Sequence, residues 1–159
     1  MIAAWRSTYA GLIDQAFLDS MEVTDHAERW LPIITRQAHS TGVYVLDDPG
    51  AGVVGFASGG RERDLDPTYR GELYSLYLLD SHHGRGHGAG LVAAVAAWLA
   101  EHRMTSMLVW VLRENQPARG FYEHLGGSYL RQLVRRVGEV DFDEVSYGWL
   151  DTSSLLGPG

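Results

Sequence analysis

The stretch His82-His83-Gly84-Arg85-Gly86-His87-Gly88-Ala89-Gly90 places a glycine at every second position from Gly84 to Gly90. It constrains the fold more than any other part of the chain because of what flanks it. Ahead lies Glu72–Leu79, dense in aliphatic and aromatic side chains, which reads as a strand. Behind lies Gly86–His102, apolar at Leu91, Val92, Val95, Ala96 and Leu99, the spacing of a helix with one buried face. Glycines in such a turn let backbone N–H groups approach a ligand closely, and a helix N-terminus adds unpaired donors and the positive end of a dipole. Arg85 adds charge-assisted hydrogen bonds. The segment therefore reads as a phosphate or pyrophosphate cradle rather than a plain flexible turn.

Two other chemistries share these residues. Gly84-Arg85-Gly86-His87-Gly88-Ala89 satisfies the dinucleotide fingerprint G-x-G-x-x-G/A, which would imply a nicotinamide cofactor. That fingerprint belongs after the first strand of a parallel βαβ unit. Here it follows strands of hairpin character, and the next strand, Met107–Leu112, leads to Arg113 rather than an acidic residue. His82, His83 and His87 also suggest a metal, but no carboxylate is close in sequence and anion binding explains the glycines better, so no metal is expected. A Walker loop is excluded, since the chain has no Gly-Lys-Ser/Thr.

The remainder of the chain fits one α/β domain. Its 159 residues, 45% of them hydrophobic, suffice for one core. No apolar run approaches the roughly 18–20 residues of a membrane helix, and the N-terminus does not read as a secretory signal. Cysteine is absent, which excludes disulfides and thiolate catalysis and suits a cytoplasmic location. A net charge of −7 argues against a nucleic-acid partner. Ile2–Tyr9 and Ile13–Ser20 read as short helices, and Thr24 caps a longer one. Val43–Leu46 and Gly52–Gly59 read as strands joined by Asp47-Asp48-Pro49-Gly50, Pro117–Leu125 as a helix, and Ser128–Val137 and Glu144–Leu150 as closing strands. The acidic run Glu139–Glu144 reads as a solvated turn. Residues 1–151 form the expected domain and 152–159 a flexible tail.

The glycine segment resembles the acyl-CoA loop of the GNAT superfamily of N-acetyltransferases, Gln/Arg-x-x-Gly-x-Gly/Ala. Two registers fit: Arg85-x-x-Gly88-x-Gly90 literally, and His83-Gly84-Arg85-Gly86-His87-Gly88 with histidine in the first position. The second is preferred, because it sets Leu91-Val92 where the family carries paired aliphatic residues. Asn115-Gln116-Pro117-Ala118-Arg119-Gly120-Phe121-Tyr122-Glu123-His124-Leu125-Gly126 is similar to the family's Asn-x-x-Ala-x-x-Phe-Tyr-Glu-x-Leu-Gly, and Glu72–Leu78 to its strand ahead of the loop. The likeness spans Val43 to about Gly126. The start Ala4–Gly11 and the end Tyr147-Gly148-Trp149 resemble one bacterial subgroup. Members begin with a strand ahead of the first helix, whereas this chain starts inside that helix, so the first strand is expected to be missing.

The resemblance implies a mixed, mostly antiparallel sheet with flanking helices and a splayed central strand pair. Acetyl-CoA would enter the splay, its pantetheine arm on the main chain of Leu76, Tyr77 and Leu78 and on Asn115 with Ala118. Its pyrophosphate would lie on His83, Gly84, Arg85, Gly86, His87, Gly88 and Ala89. Asn115 reads equally as a helix N-cap ahead of Pro117. Acetyl transfer to an amine needs a base, assigned to Glu72, and an acid towards the departing sulfur, assigned to Tyr122. Glu72 otherwise reads as a surface partner of Arg70, and Tyr122 as a buried aromatic. Trp5, Tyr9 and Trp110 would line the acceptor pocket. The implied partner is a small-molecule or peptide amine, with a homodimer possible. The alternative is an acyl-CoA sensor without turnover.

Overall fold

A computed structural model of the protein describes residues 40–137 and 140–157. The helices expected before Ser40, the question of the first strand, and Trp5 and Tyr9 all lie outside the described residues. Among the described residues six strands form one sheet: β1 (Thr41–Asp48), β2 (Gly52–Arg61), β3 (Gly71–Leu78), β4 (Met107–Leu112), β5 (Ser128–Val137) and β6 (Val140–Trp149). Their order is β1-β2-β3-β4-β6-β5, and every pair is antiparallel except β3–β4. Two α-helices are described, α1 (His87–Glu101) between β3 and β4 and α2 (Gln116–His124) between β4 and β6's partner β5. This is the mixed α/β architecture expected from the sequence.

The β1–β2 turn closes where sequence punctuation puts it. The Asp48 carboxylate accepts the amides of Gly50 at 2.8 Å and Ala51 at 3.0 Å, and these bonds hold it below the usual carboxylate range. One face of the sheet carries the core. Leu91, Val92, Val95, Ala96 and Leu99 on α1 are buried, as their helical spacing predicts, and pack with Leu73, Met107, Val109, Val111, Val145 and Tyr147. Alternation then sends Glu72, Leu108, Trp110, Glu144 and Ser146 to the opposite face.

The β3–β4 seam is short. Gly71, Glu72 and Leu73 pair with Met107, Leu108 and Val109, and there the pairing ends. Beyond it β3 stays paired with β2 as far as Leu78, and β4 with β6 as far as Leu112, so a wedge opens between Tyr74–Leu78 and Trp110–Leu112. The cause is local. Against β2, Ser58 faces Ser75 but Gly59 faces Leu73, leaving Tyr74 as an extra residue in β3. Such a bulge bends its strand and reverses the alternation. Leu73 and Leu76, three apart, accordingly both contact the core.

Two segments carry structure that their composition does not announce. At the start of the expected tail Asp151 accepts the Ser153 amide at 2.8 Å and caps a 3₁₀ turn, Thr152–Leu155. Thr152 is buried, its amide donating to the Thr105 carbonyl at 2.9 Å, and Leu155 packs on the core. The acidic run is not wholly a solvated turn. From Val140 it is strand β6, with Asp143 paired to Arg113 at 2.7 Å and Glu144 to Arg135 at 3.0 Å.

Candidate active site at the splayed strands

After β3 the chain makes a 3₁₀ turn over Asp80–His82, then swings into α1 through Gly84 and Gly86, with φ of +71° and +80°. Side chains rarely adopt that backbone, so these two glycines are needed for their conformation. Among the described residues a Cβ at either would meet nothing within 4 Å, so backbone conformation rather than crowding is what calls for glycine there. Gly86 caps α1 without any side-chain bond, and the first helical bond runs from the Gly90 amide to the Gly86 carbonyl at 3.0 Å. The amides of His87, Gly88 and Ala89 therefore point out of the helix mouth without intrahelical partners. No acidic residue stands in the first turn. The arrangement suits an anion.

The histidines are engaged elsewhere. His83 turns back, its Nε2 3.0 Å from the Leu78 carbonyl and 3.9 Å from Asp80. His82 lies 2.9 Å from the Ser81 hydroxyl through Nδ1 and 3.6 Å from Asp48 through Nε2. Among the described residues no three His, Cys, Asp or Glu side chains converge on one point. Because β3 and β4 are parallel, the loop does sit in one βαβ unit, a context the hairpin reading of the sequence underestimates. The antiparallel remainder of the sheet is what separates it from a dinucleotide fold.

The second motif starts α2. Asn115 is buried and accepts the Ala118 amide at 3.2 Å, so the N-cap reading of this residue is realised. Pro117 follows in the first turn, where its missing N–H is harmless. Phe121 brings the two motifs together: a Cβ placed on Gly88 would lie 3.3 Å from its ring. Tyr122 is 6% exposed, edge-on to Phe121 at 5.3 Å and to Trp149 at 6.3 Å. It belongs to the core on the α1 side of the sheet.

Glu72 is on the other side. It stands at the closed end of the wedge and is only 1% exposed. Its partner is Arg63, not Arg70: a buried carboxylate held by an arginine whose own side chain reaches the surface. Oε1 accepts Arg63 Nη2 at 2.5 Å, while Oε2 accepts Nε at 3.1 Å and the Arg63 amide at 3.2 Å. These bonds raise the guanidinium further above its usual range, the Glu72 hydrogen bond being the main cause. Arg70 instead uses its amide on the Ser106 hydroxyl at 3.0 Å.

Around this carboxylate the far face is charged, a feature that sequence reading missed. Arg131 pairs with Asp66 at 2.7 Å, and Arg135 with Asp64 at 2.9 Å as well as with Glu144. Both guanidinium groups lie near Trp110, at 5.2 and 5.7 Å from its ring, whose buried Nε1 finds no hydrogen-bond partner among the described residues. The alternation Arg131-x-Leu133-x-Arg135 along β5 was the available signal.

The acetyltransferase (GNAT) family matches residues 5–127. The uncharacterized N-acetyltransferase YuaI of Bacillus subtilis is 33% identical over 154 residues, covering 97% of this chain and 86% of that protein. The crystal structure of PaiA N-acetyltransferase from Thermoplasma acidophilum in complex with coenzyme A superposes with a TM-score of 0.67 at 18% identity, covering 93% of this chain and 87% of that one. YncA from Salmonella typhimurium with acetyl-CoA, described as an acetyltransferase, gives 0.62 at 22% identity over 84% and 77%. With the family spanning most of its length and a curated relative matching nearly all of it, the chain belongs to the acetyltransferase (GNAT) family.

Proposed function

We propose that residues 1–151 form one acetyltransferase domain that moves an acetyl group directly from acetyl-CoA to a primary amine of a small molecule or peptide. The observation carrying this reading is that the wedge and the open helix mouth stand at the same end of β3. Leu76, Tyr77 and Leu78 stay paired with β2 but lie past the end of the β3–β4 ladder, and that edge of β3 would receive the pantetheine amides. The amides of Gly84 to Ala89, with Arg85 beside them, receive the pyrophosphate, and the positive φ of Gly84 and Gly86 favours the register that begins at His83. His83 itself contributes through its backbone, since its ring is turned towards Leu78. Asn115 and Ala118 border the arm from the start of α2.

Glu72 and Tyr122 lie on opposite faces of the sheet, so a thioester in the wedge would have a base on one side and an acid on the other. Glu72 takes a proton from the amine nitrogen as that nitrogen bonds to the acetyl carbon. A main-chain N–H of Leu76–Leu78 holds the carbonyl oxygen, and Tyr122 protonates the sulfur as the C–S bond breaks. The far face, with Glu62, Asp64, Asp66, Glu72 and Glu144 against Arg63, Arg131 and Arg135, suits a cationic acceptor. The domain works in the cytoplasm on this reading. Calorimetric titration with acetyl-CoA and with NAD tests it, followed by an amine screen read by thiol release. Saturable binding of acetyl-CoA alone is expected; binding of NAD instead would overturn the assignment.

A further inference from the structure

We propose that Arg63 is a positioning residue for the reaction, holding the Glu72 carboxylate in one orientation so that the proton arrives at a lone pair Arg63 leaves open. The inference rests on the base assignment above and goes beyond it. Three hydrogen bonds reach the Glu72 carboxylate from Arg63, through its amide, Nε and Nη2, so rotation of the carboxylate would break three bonds at once.

Arg63 is in turn held, although its side chain is 59% exposed. Its guanidinium lies 4.5 Å above the Tyr74 ring, and the Tyr74 hydroxyl donates to the Arg61 carbonyl at 2.5 Å. Tyr74 is the extra residue of the β3 bulge. The irregularity that opens the wedge thus also props the arginine that fixes the carboxylate at the wedge's closed end. Stability alone is a weak reason for such a pair, because replacing a buried ion pair by apolar residues is often neutral or stabilising.

The groups facing Glu72 are few. Its partners across β2 and β4 are Gly60 and Leu108, which do not titrate. Among the described residues Arg63 and Tyr74 interact electrostatically with Glu72, while Arg135 acts on Arg63, and Glu62 and Arg61 act on Tyr74. Burial pushes the Tyr74 phenol up, with Glu72 adding to it. Of these groups Arg63 alone touches the carboxylate.

The test compares Arg63→Gln, Arg63→Lys and Glu72→Gln in steady state, with acetyl-CoA and an amine found by the screen, from pH 5.5 to 9.5. Arg63→Gln should lower kcat by about tenfold to a hundredfold, part of the 10²–10⁴ a general base supplies. It should leave the acetyl-CoA affinity unchanged, which also reports an intact fold, and move the acidic limb of kcat/KM to higher pH. Arg63→Lys, keeping the charge without the fork, should restore the limb but only part of kcat. An acidic limb unmoved in Arg63→Gln, while Glu72→Gln abolishes it, would overturn the role of Arg63 alone. A rate and limb unchanged in Glu72→Gln would overturn the base assignment and this inference with it.

Discussion

Gly86 and Gly90 offer the same substitution to alanine on one helix, with opposite expected signs. Gly86 caps α1 at φ +80°, and a Cβ there would meet nothing within 4 Å, so its cost is backbone strain alone. Forcing an L-residue into that region costs about 1–2 kcal/mol. For a chain of this size that lowers Tm by about 2–8 °C. Gly90 is exposed inside α1, and its Cβ would likewise meet no neighbour. There alanine should stabilise by about 0.5–1 kcal/mol, raising Tm by about 1–4 °C. Acetyl-CoA binding adds a second contrast. If the turn holds the pyrophosphate as proposed, distorting it at Gly86 should cost one charge-assisted amide bond and weaken binding by about tenfold or more. At Gly90 the affinity should not change. Thermal unfolding gives the first quantity and calorimetry the second. Equal shifts in Tm would refute the left-handed cap, and full affinity in Gly86→Ala would refute the placement of the pyrophosphate.

Tyr122→Phe keeps the buried ring, so Tm should move by no more than about 1 kcal/mol equivalent while kcat falls about 10²-fold; a stopped assay with a good amine decides it. Asn115→Ala removes the cap on Ala118 and should destabilise by about 0.5–2 kcal/mol in urea, with weaker acetyl-CoA binding besides. Stability should also fall in acid. The Arg135 hydrogen bond holds Asp64 below the usual carboxylate range; burial pushes Asp66 up, but the amides of Tyr69 and Thr68 and the Arg131 pair outweigh it and lower it. Groups depressed on folding contribute stability above their unfolded value, about pH 4, and lose it as pH falls through the folded value. Calorimetric Tm should therefore drop below about pH 4, and Asp66→Asn should flatten that drop.

Elements whose ends carry chemical punctuation were legible in the sequence. Met107–Leu112 and Ser128–Val137 match their strands end to end, and α1 and α2 begin within a residue of where Gly86 and Asn115 put them. Glu72 as a buried carboxylate on β3 was not legible, nor was its partner. Alternation can assign a residue to a face, but the arginine that reaches it is chosen by the path of residues 62–70. That loop is shaped by carboxylates: Glu62 accepts the amides of Asp64 and Asp66, and Asp66 those of Thr68 and Tyr69. Nothing periodic announces such bonds, so the sequence offered Arg70 as the partner and not Arg63. The bulge at Tyr74 was hidden for a related reason, since Leu73–Leu78 alternates too loosely to show a skipped residue.

The three-residue seam divides the sheet into two leaves, β1-β2-β3 and β4-β6-β5, stitched along one short hem. Within each leaf the ladders are long, so each should open as a unit, and the hem is the natural line of breathing between them. A ligand lying in the wedge continues that hem along β3. Acetyl-CoA would then act as a removable stitch: amide hydrogen exchange should slow on both leaves when it binds, most of all at Met107–Val109, rather than only at the glycine turn proposed to hold its phosphates. On the proposed placement, the gap that admits the ligand would leave the final fastening of the sheet to it.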